Sequence, residues 1–428
     1  MDGHAHLHWR TSMRADRMAA AADIRILFGT EIDWSSPPMR YKFMRDRNEL
    51  DAADPEFDEL GFSTRAIHQP VDLSLNHPAQ SVRKVSGADN NAHSATDMLE
   101  KTLARLEGTE AGLVLSSGLA AFNMLALALL SEGDEMIVHR QVCTDTAALM
   151  EKTLTRAGIT MVPVDLSLPA NICRAVTPRT RLIYFDTPTN PLGDILDIAA
   201  IAECGRSCGL KIVVDSTFAS PALQRPIEHG ADIVLQSLTK YINGHGDTLG
   251  GALLGDTAII HKLRETNLRF PEATVISPQA SFLILRGVKT LALRMDRHSS
   301  AAHAIALTLE THPAVAWVRY PFLPSHPNHS IARRQMSGGS GMLAFGLRAG
   351  RDGATAMISR LRLIQSGVNL AEVGSLICHS ARLTSTRHLS LSGGGLCDAL
   401  GDDVIRCSVG LEDAEDLIED ILEALDFG

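Results

Sequence analysis

Short apolar segments alternate with helix-length stretches through the middle of the chain. Each segment is nearly continuous in Val, Ile, Leu, Ala or Met, and such strands alternating with helices are typical of a parallel sheet covered on both faces. The segments are 111–117, 135–140, 159–165, 181–188, 211–218, 231–237 and 249–256. The pattern therefore predicts one large α/β domain with a seven-stranded sheet, in which ligands bind at the carboxyl ends of the strands.

The pattern changes after this region and predicts a smaller α+β domain. A long helical stretch over 278–311 precedes strand candidates at 314–320, 342–347, 363–368 and 404–409. The last helix, 414–427, has Asp413 as a plausible N-cap. Its apolar residues recur at helical spacing and predict a buried face. They are Leu417, Ile418, Ile421, Leu422 and Leu425.

The N-terminal region has no such period. Residues 1–60 are rich in Arg, Asp, Met and Ala, and we interpret them as an extension that is not a secretory signal. The large domain is predicted over 99–311 and the C-terminal domain over 312–428. The apolar window 111–130 contains Ser116, Ser117, Gly118 and Asn123, which favours a strand, a turn and a buried helix over a membrane span.

Composition narrows the possible partners and the compartment. The 428 residues carry 40 Lys and Arg against 50 Asp and Glu, a net charge of −10 that argues against nucleic-acid binding. Seven cysteines without a C-x-x-C pair indicate a reducing, cytoplasmic compartment. Cys204 and Cys208 are four residues apart, which favours two packed thiols over a metal pair. Only four residues are tyrosines, so the location of each phenol matters.

Three features suggest a pyridoxal phosphate site. Asp215 ends an apolar strand, where a buried carboxylate needs a cationic partner. Lys240 follows the next strand between hydroxyls and a Gly-rich turn, where partial desolvation suits a Schiff-base amine. The strand-to-helix turn 116–119 offers backbone N–H groups to a phosphate. Together these supply a lysine for the aldehyde, an acid for the pyridine nitrogen and a helix end for the phosphate.

Several motifs, in order, resemble the Cys/Met-metabolism family of pyridoxal-phosphate enzymes, which includes cystathionine γ-synthase, methionine γ-lyase and O-acylhomoserine sulfhydrylases. The motifs are GFSTRAIH (61–68), LE…LEG (99–108), DSTF (215–218), SLTKY (237–241), LRGVKTL (285–291) and RCSVGLE (406–412). The resemblance implies a fold-type-I large domain with a mostly parallel seven-stranded sheet and a smaller C-terminal α+β domain. It also implies a homodimer or homotetramer, with residues 61–98 forming an arm that reaches the neighbouring subunit.

The resemblance implies a role for each site residue. Lys240 would bind the cofactor aldehyde and shuttle protons, and Asp215 would pair with the pyridinium nitrogen. Arg406 would clamp the substrate α-carboxylate, which suits its planar fork, with Asn369 nearby. The remaining cofactor-binding residues are Gly118, Leu119, Cys143, Asn190, Thr217, Ser237 and Thr239. Asn190 could instead simply set the turn before Pro191.

The sequence departs from the family pattern at three places. Ala88 and Asn90 stand where the family has the tyrosine and arginine of a phosphate-binding stretch. Cys143 stands where a tyrosine usually stacks on the pyridine ring. Gly374 replaces a glutamate linked to recognition of a distal amino group, whereas the Asn369 start of this stretch looks more like the sulfhydrylases.

These departures generate further hypotheses. A basic residue such as Arg45, Arg83 or Lys84 could supply the missing phosphate contact. Cys143 is either a space-filling thiol, which we favour, or a weak acid in the site. The tract His4-Ala5-His6-Leu7-His8 looks like the metal motif of amidohydrolase barrels, but the rest of the chain follows another fold, so no functional metal is expected.

The sequence therefore predicts an enzyme of the trans-sulfuration type, a transferase or lyase acting on an amino acid with a leaving group at Cγ. The alternative is a non-catalytic relative that acts as a scaffold or regulator. With two tyrosine positions lost, a leaving group that departs without protonation is favoured, such as an ester oxygen or a sulfonium. Tyr184, Tyr241 and Tyr320 lie in predicted framework elements, so Tyr41 is the phenol expected near the site.

Overall fold

The fold is built on two sheets, described here from a computed structural model. The structure describes residues 61–67, 94–268, 275–379 and 404–426, all within one unit, Pro55–Gly428. The predicted extension, the Arg83 and Lys84 segment, Ala88, Asn90, Tyr41 and the histidine tract lie outside the described residues. None of the described helices has the length and apolar composition needed to cross a bilayer.

The first sheet has seven strands in the order β1-β7-β6-β5-β4-β2-β3. They are β1 (Ala111–Leu115), β2 (Glu135–His139), β3 (Thr160–Val164), β4 (Thr180–Asp186), β5 (Lys211–Asp215), β6 (Ile233–Ser237) and β7 (Gly251–Gly255). β7 runs antiparallel to both of its neighbours, and the other pairs are parallel. All seven apolar segments form the predicted strands, because strands covered on both faces bury most of their side chains.

Helices connect and cover the strands. Those of the first part are α1 (Phe62–Ile67), α2 (Ala95–Glu107), α3 (Gly118–Leu129), α4 (Thr144–Leu149), α5 (Ala170–Ala175), α6 (Ile198–Ser207), α7 (Ser220–Leu223) and α8 (Thr257–Leu268). Those of the second part are α9 (Pro278–Val288), α10 (Leu291–Thr311), α11 (His329–Gln335), α12 (Gly350–Arg360) and α13 (Ala414–Leu425). A π-helical turn, Met150–Leu154, continues α4, and a 3₁₀ turn spans Pro226–His229.

The single helix predicted over 278–311 is wrong, because the chain breaks between α9 and α10. The buried Arg294 of α10 folds back and donates to the Gly287 carbonyl at 2.9 Å, near the end of α9. The same guanidinium donates to the Tyr241 carbonyl at 2.6 Å. The guanidinium of Arg294 therefore satisfies a carbonyl at the end of α9 that a continued helix would have paired with a backbone N–H. Its position in the sequence gave no sign of this contact.

The second sheet has the order β10-β11-β12-β9-β8 and is largely antiparallel. Its strands are β8 (Val315–Arg319), β9 (Met342–Leu347), β10 (Gln365–Ser366), β11 (Leu376–His379) and β12 (Val404–Ser408). Three of the four predicted strands are confirmed nearly at full length, whereas β10 is only two residues long. β11 was not predicted, because its apolar run is short and follows a Gly- and Ser-containing stretch.

α13 covers this sheet and confirms the predicted apolar face. Leu417, Ile421 and Leu425 are buried, and Ile418 is half-buried against the same core. Asp413 precedes the helix, but its side chain pairs with Arg297 at 2.7 Å instead of capping the backbone. The sequence analysis did not predict the buried carboxylate of Asp420 on this helix. It accepts backbone N–H groups from three consecutive residues, 362–364, at 2.7–3.1 Å.

Replacing Asp420 tests how firmly this carboxylate holds the loop before β10. Asp420→Ala leaves three backbone donors without their acceptor, so the free energy of unfolding should fall by about 2–4 kcal/mol. Glu423→Ala is the matched control, since Glu423 lies on the same helix and, among the described residues, pairs with the exposed Arg362 at 3.3 Å. The control should change stability by less than ~0.5 kcal/mol. Urea unfolding followed by circular dichroism measures both, and equal losses would contradict this role.

Candidate active site

Three neighbouring parallel strands bring polar residues to one edge of the first sheet. β4 ends at Asp186, β5 at Asp215 and β6 at Ser237. Asp186 and Asp215 are partners in register, so two carboxyl groups lie side by side at the strand mouths. This is the edge at which parallel sheets bind ligands, and it is where the sequence placed the site.

Asp215 is held by two donors but has no cation. The Thr217 N–H donates to Oδ1 at 3.0 Å, and the Tyr184 hydroxyl donates to Oδ2 at 3.2 Å. Burial raises the pKa of Asp215, although these hydrogen bonds oppose that effect. Among the described residues no lysine, arginine or histidine forms an ion pair with it. A carboxylate with donors already fixed and no cationic partner fits the pyridinium nitrogen of pyridoxal phosphate.

Asp186 behaves differently from its neighbour. Its carboxyl is fully enclosed, and burial together with the nearby Asp215 raises its pKa to about 8. One of its oxygens, Oδ1, has no hydrogen-bond partner among the described residues. Two adjacent carboxyl groups rarely ionise together, so burial and the neighbouring Asp215 favour the protonated form of Asp186.

A phosphate fits at the N-terminus of α3. Ser117 caps this helix by accepting from the Ala120 N–H at 3.1 Å, and Gly118 begins it. A Cβ on Gly118 would lie 3.0 Å from the Cβ of Ser237, so the helix end and the mouth of β6 are in direct contact. The Ser237 hydroxyl makes no hydrogen bond to another described residue. Exposed N–H groups beside an available hydroxyl suit a phosphate.

Thr239 and Thr217, two more of the predicted residues, border the phosphate position at Ser237. The Thr239 hydroxyl accepts the Gly250 N–H at 3.1 Å, which ties the turn after β6 to the start of β7. The Thr217 hydroxyl accepts the Ser237 N–H at 2.8 Å and so links the Asp215 strand to the same position. Leu119 lies in the first turn of α3 with 37% of its surface exposed, so its contribution to a ligand is its backbone N–H.

Lys240 lies on the turn after β6, and its amine faces the loop between β10 and β11 of the second sheet. Its Nζ donates to the Asn369 Oδ1 at 2.7 Å. Burial lowers the pKa of Lys240, and the positive charge of Arg406 lowers it further. A larger fraction of this amine is therefore neutral than in a solvent-exposed lysine, which is the form that attacks an aldehyde.

Arg406, on β12, is buried and faces the same space. Its guanidinium donates to the Asn190 Oδ1 at 3.2 Å and to the Val368 carbonyl at 2.7 Å. The Asn190 amide in turn lies 3.8 Å from the Cys143 sulfur. Asn190 therefore positions the arginine in addition to setting the turn before Pro191. Burial raises the pKa of the Cys143 thiol, which makes it a weak acid.

The structure thus places the predicted residues around the carboxyl edge of the first sheet, and it adds residues that the sequence analysis missed. Tyr184 belongs to the framework as predicted, yet its hydroxyl reaches Asp215. Alternation along β4 places Tyr184 on the face of Asp186, which was the available signal. Glu372 is a second addition, since it hydrogen-bonds with Asn369 and its charge acts on Lys240.

This fold and this pocket define a class: enzymes that bind pyridoxal phosphate on a lysine at the edge of a mostly parallel sheet. The family model for Cys/Met metabolism PLP-dependent enzymes matches residues 89–426. The chain belongs to this family, which confirms the resemblance, the cofactor and the enzymatic class.

Curated relatives carry several activities. The chain is 41% identical to the cystathionine gamma-synthase of Mycobacterium tuberculosis over 85% of this chain and 93% of that protein. It is 37% identical to the L-methionine gamma-lyase of Pseudomonas deceptionensis over 86% of this chain and 97% of that protein. It is 38% identical to the O-succinylhomoserine sulfhydrylase of M. tuberculosis over 77% of this chain and 81% of that protein.

A solved structure is similar over nearly its whole length. The crystal structure of metB from Corynebacterium glutamicum superposes with a TM-score of 0.77 at 33% sequence identity. The match covers 86% of this chain and 99% of that chain. The two-sheet architecture is therefore that of this family.

Removing the charge of Arg406 should raise the pKa of Lys240. Arg406→Met keeps an unbranched side chain but removes the repulsion between the two cations, so the apoprotein's Lys240 should react with acetic anhydride only at higher pH. Mass spectrometry of the Lys240 peptide across a pH series measures the shift. The exposed Arg362→Met variant is the control and should leave the profile unchanged. An unchanged profile in Arg406→Met would show that burial alone sets the reactivity.

Proposed function

We propose that this enzyme catalyses γ-replacement or γ-elimination on an amino acid that bears a leaving group at Cγ. The observation that carries the proposal is the pairing of Lys240 with Arg406 in one pocket. The two cations repel each other, so an anionic group between them is stabilised by both. An α-carboxylate on Arg406 places the adjacent Cα, and then Cβ, toward the lysine amine. Relatives named as γ-synthase, γ-lyase and sulfhydrylase support the same reaction class.

The chain's own residues would hold the cofactor and move the protons. Asp215 would pair with the pyridine nitrogen, and Gly118, Leu119, Ser237 and Thr239 would surround the phosphate. When bound, pyridoxal phosphate supplies an electron sink for charge that develops at Cα. Lys240 would take the Cα proton and then act at Cβ, since a neutral amine accepts a proton at either position. Asn190 and the Val368 and Asn369 carbonyls hold Arg406, which would bind the substrate carboxylate.

The pocket supports a leaving group that departs without a proton. Cys143 lies at the position that the sequence comparison assigned to the family's ring-stacking tyrosine, and the raised pKa of its thiol makes it a poor proton donor. An ester oxygen departs as a stable carboxylate and a sulfonium departs as a neutral thioether, so neither needs an acid. A simple thioether would leave as a thiolate and gains more from protonation.

A purely structural role is less consistent with this pocket. A scaffold needs neither an amine of lowered pKa nor a buried arginine beside it. We further propose that the enzyme is a cytoplasmic homo-oligomer. Leu119 and Leu249 support this, because they are 37% and 62% exposed beside the phosphate position, where apolar surface favours a neighbouring subunit.

Substrate turnover tests the proposed reaction. The protein with pyridoxal phosphate should consume an O-acylhomoserine at least tenfold faster than methionine, since tenfold corresponds to about 1.4 kcal/mol of barrier. Release of 2-oxobutanoate and ammonia without an added thiol would identify elimination, whereas their suppression by cysteine would identify replacement. Lys240→Ala should abolish both. Equal rates on the ester and the thioether would overturn the leaving-group proposal, and no turnover of either would favour a scaffold.

Restoring a phenol at position 143 tests the role of the weak acid. Cys143→Tyr should raise the rate on methionine relative to the ester, because a phenol hydroxyl extends further into the site and is a stronger hydrogen-bond donor than a thiol. Cys204→Ser is the control, since this half-buried thiol lies on α6 and makes no described contact with the site residues. The ratio of kcat/KM for the two substrates is the measurement. A fall in both rates by the same factor would mean that the ring only obstructs the pocket.

A further inference from the structure

Tyr184 occupies a position that connects both ends of the cofactor site. Its side chain is 1% exposed, and its ring packs edge-on against Phe122 with centroids 4.7 Å apart and planes inclined at 63°. Phe122 belongs to α3, the helix whose first residue is Gly118. The hydroxyl at the other end donates to the Asp215 Oδ2 at 3.2 Å. The phenol is therefore fixed at its ring by the phosphate-side helix and at its oxygen by the carboxylate.

The hydroxyl of Tyr184 keeps its proton and donates it in a hydrogen bond to Asp215. Burial raises its pKa well above the ordinary value, and the nearby Asp215, Asp186 and Cys143 raise it further. Asp215 thus has one fixed donor for each carboxylate oxygen, Thr217 on Oδ1 and Tyr184 on Oδ2. The neighbouring Asp186 accepts backbone N–H groups of residues 143, 186 and 190, but its Oδ1 has no partner among the described residues. The two donors on Asp215 favour its ionised form.

We propose that Tyr184 is a positioning residue that keeps Asp215 ionised and oriented toward the pyridine nitrogen of the bound cofactor. A carboxylate that already accepts two hydrogen bonds competes weakly for the pyridinium proton, so the proton stays on the ring. A protonated ring withdraws charge from Cα more strongly than a neutral one. The inference depends on the cofactor, which family membership supplies, and it holds for replacement and elimination alike.

The experiment uses pyridoxal phosphate labelled with ¹⁵N in its ring and bound to the wild type or to Tyr184→Phe. Without the phenol, Asp215 is more basic and should share the ring proton. The ¹⁵N signal should then move toward that of unprotonated pyridine. The dissociation constant of the cofactor should also rise about tenfold, as expected for loss of a hydrogen bond to a charged group. In turnover, kcat should fall while KM changes little.

The control is Tyr320→Phe, which removes another buried hydroxyl that donates to the Ser299 and Ser340 carbonyls at 2.9 and 3.1 Å. It should lower stability without moving the ¹⁵N signal. If Tyr184→Phe does not fold, 3-fluorotyrosine placed at position 184 replaces it. The more acidic phenol is a stronger donor and should move the signal toward protonated pyridine. A folded Tyr184→Phe holoenzyme with the wild-type ¹⁵N shift and cofactor affinity would overturn the proposal, as would an unmoved signal with fluorotyrosine.

Discussion

The site depends on one electrostatic constraint, a carboxylate at the mouth of a buried strand that has no cation of its own. Asp215 follows three buried residues of β5, and burial raises its pKa. Such a group is stable as an anion only with fixed donors and a positive partner. Thr217 and Tyr184 supply the donors. In the proposed mode of binding, the cofactor's pyridinium supplies the positive charge that the described residues do not.

Close backbone approach fixes the position of the helix end that we propose for the phosphate. A Cβ at Gly251 would collide with the Ser117 carbonyl oxygen, and a Cβ at Gly118 would crowd Ser237. Only residues without side chains let the turn before α3 reach β7 and the mouth of β6. Backbone packing, and not flexible side chains, therefore sets where this helix end lies relative to Ser237.

The sequence was sufficient for features that depend on one strand or one motif. The seven strands were predictable because each is a continuous apolar run, and Lys240 and Asp215 were predictable because they follow such runs. Features that depend on partners distant in the sequence were not predictable. The helix break at 289–290 comes from Arg294 folding back onto Gly287, and the loop before β10 is held by Asp420, 56–58 residues away. Neither partner is marked by spacing or composition.

Tyr184 shows the same limit inside the site. A tyrosine in an apolar strand is read as core from its neighbours, and its ring is indeed core, packed on Phe122. Its oxygen acquires a function only because β5 lies beside β4 with Asp186 opposite Asp215. That register places two carboxyl groups together, so one of them must give up its charge. A single phenol next to the pair then affects which carboxyl stays ionised, and through it the proton on the ring that the reaction uses.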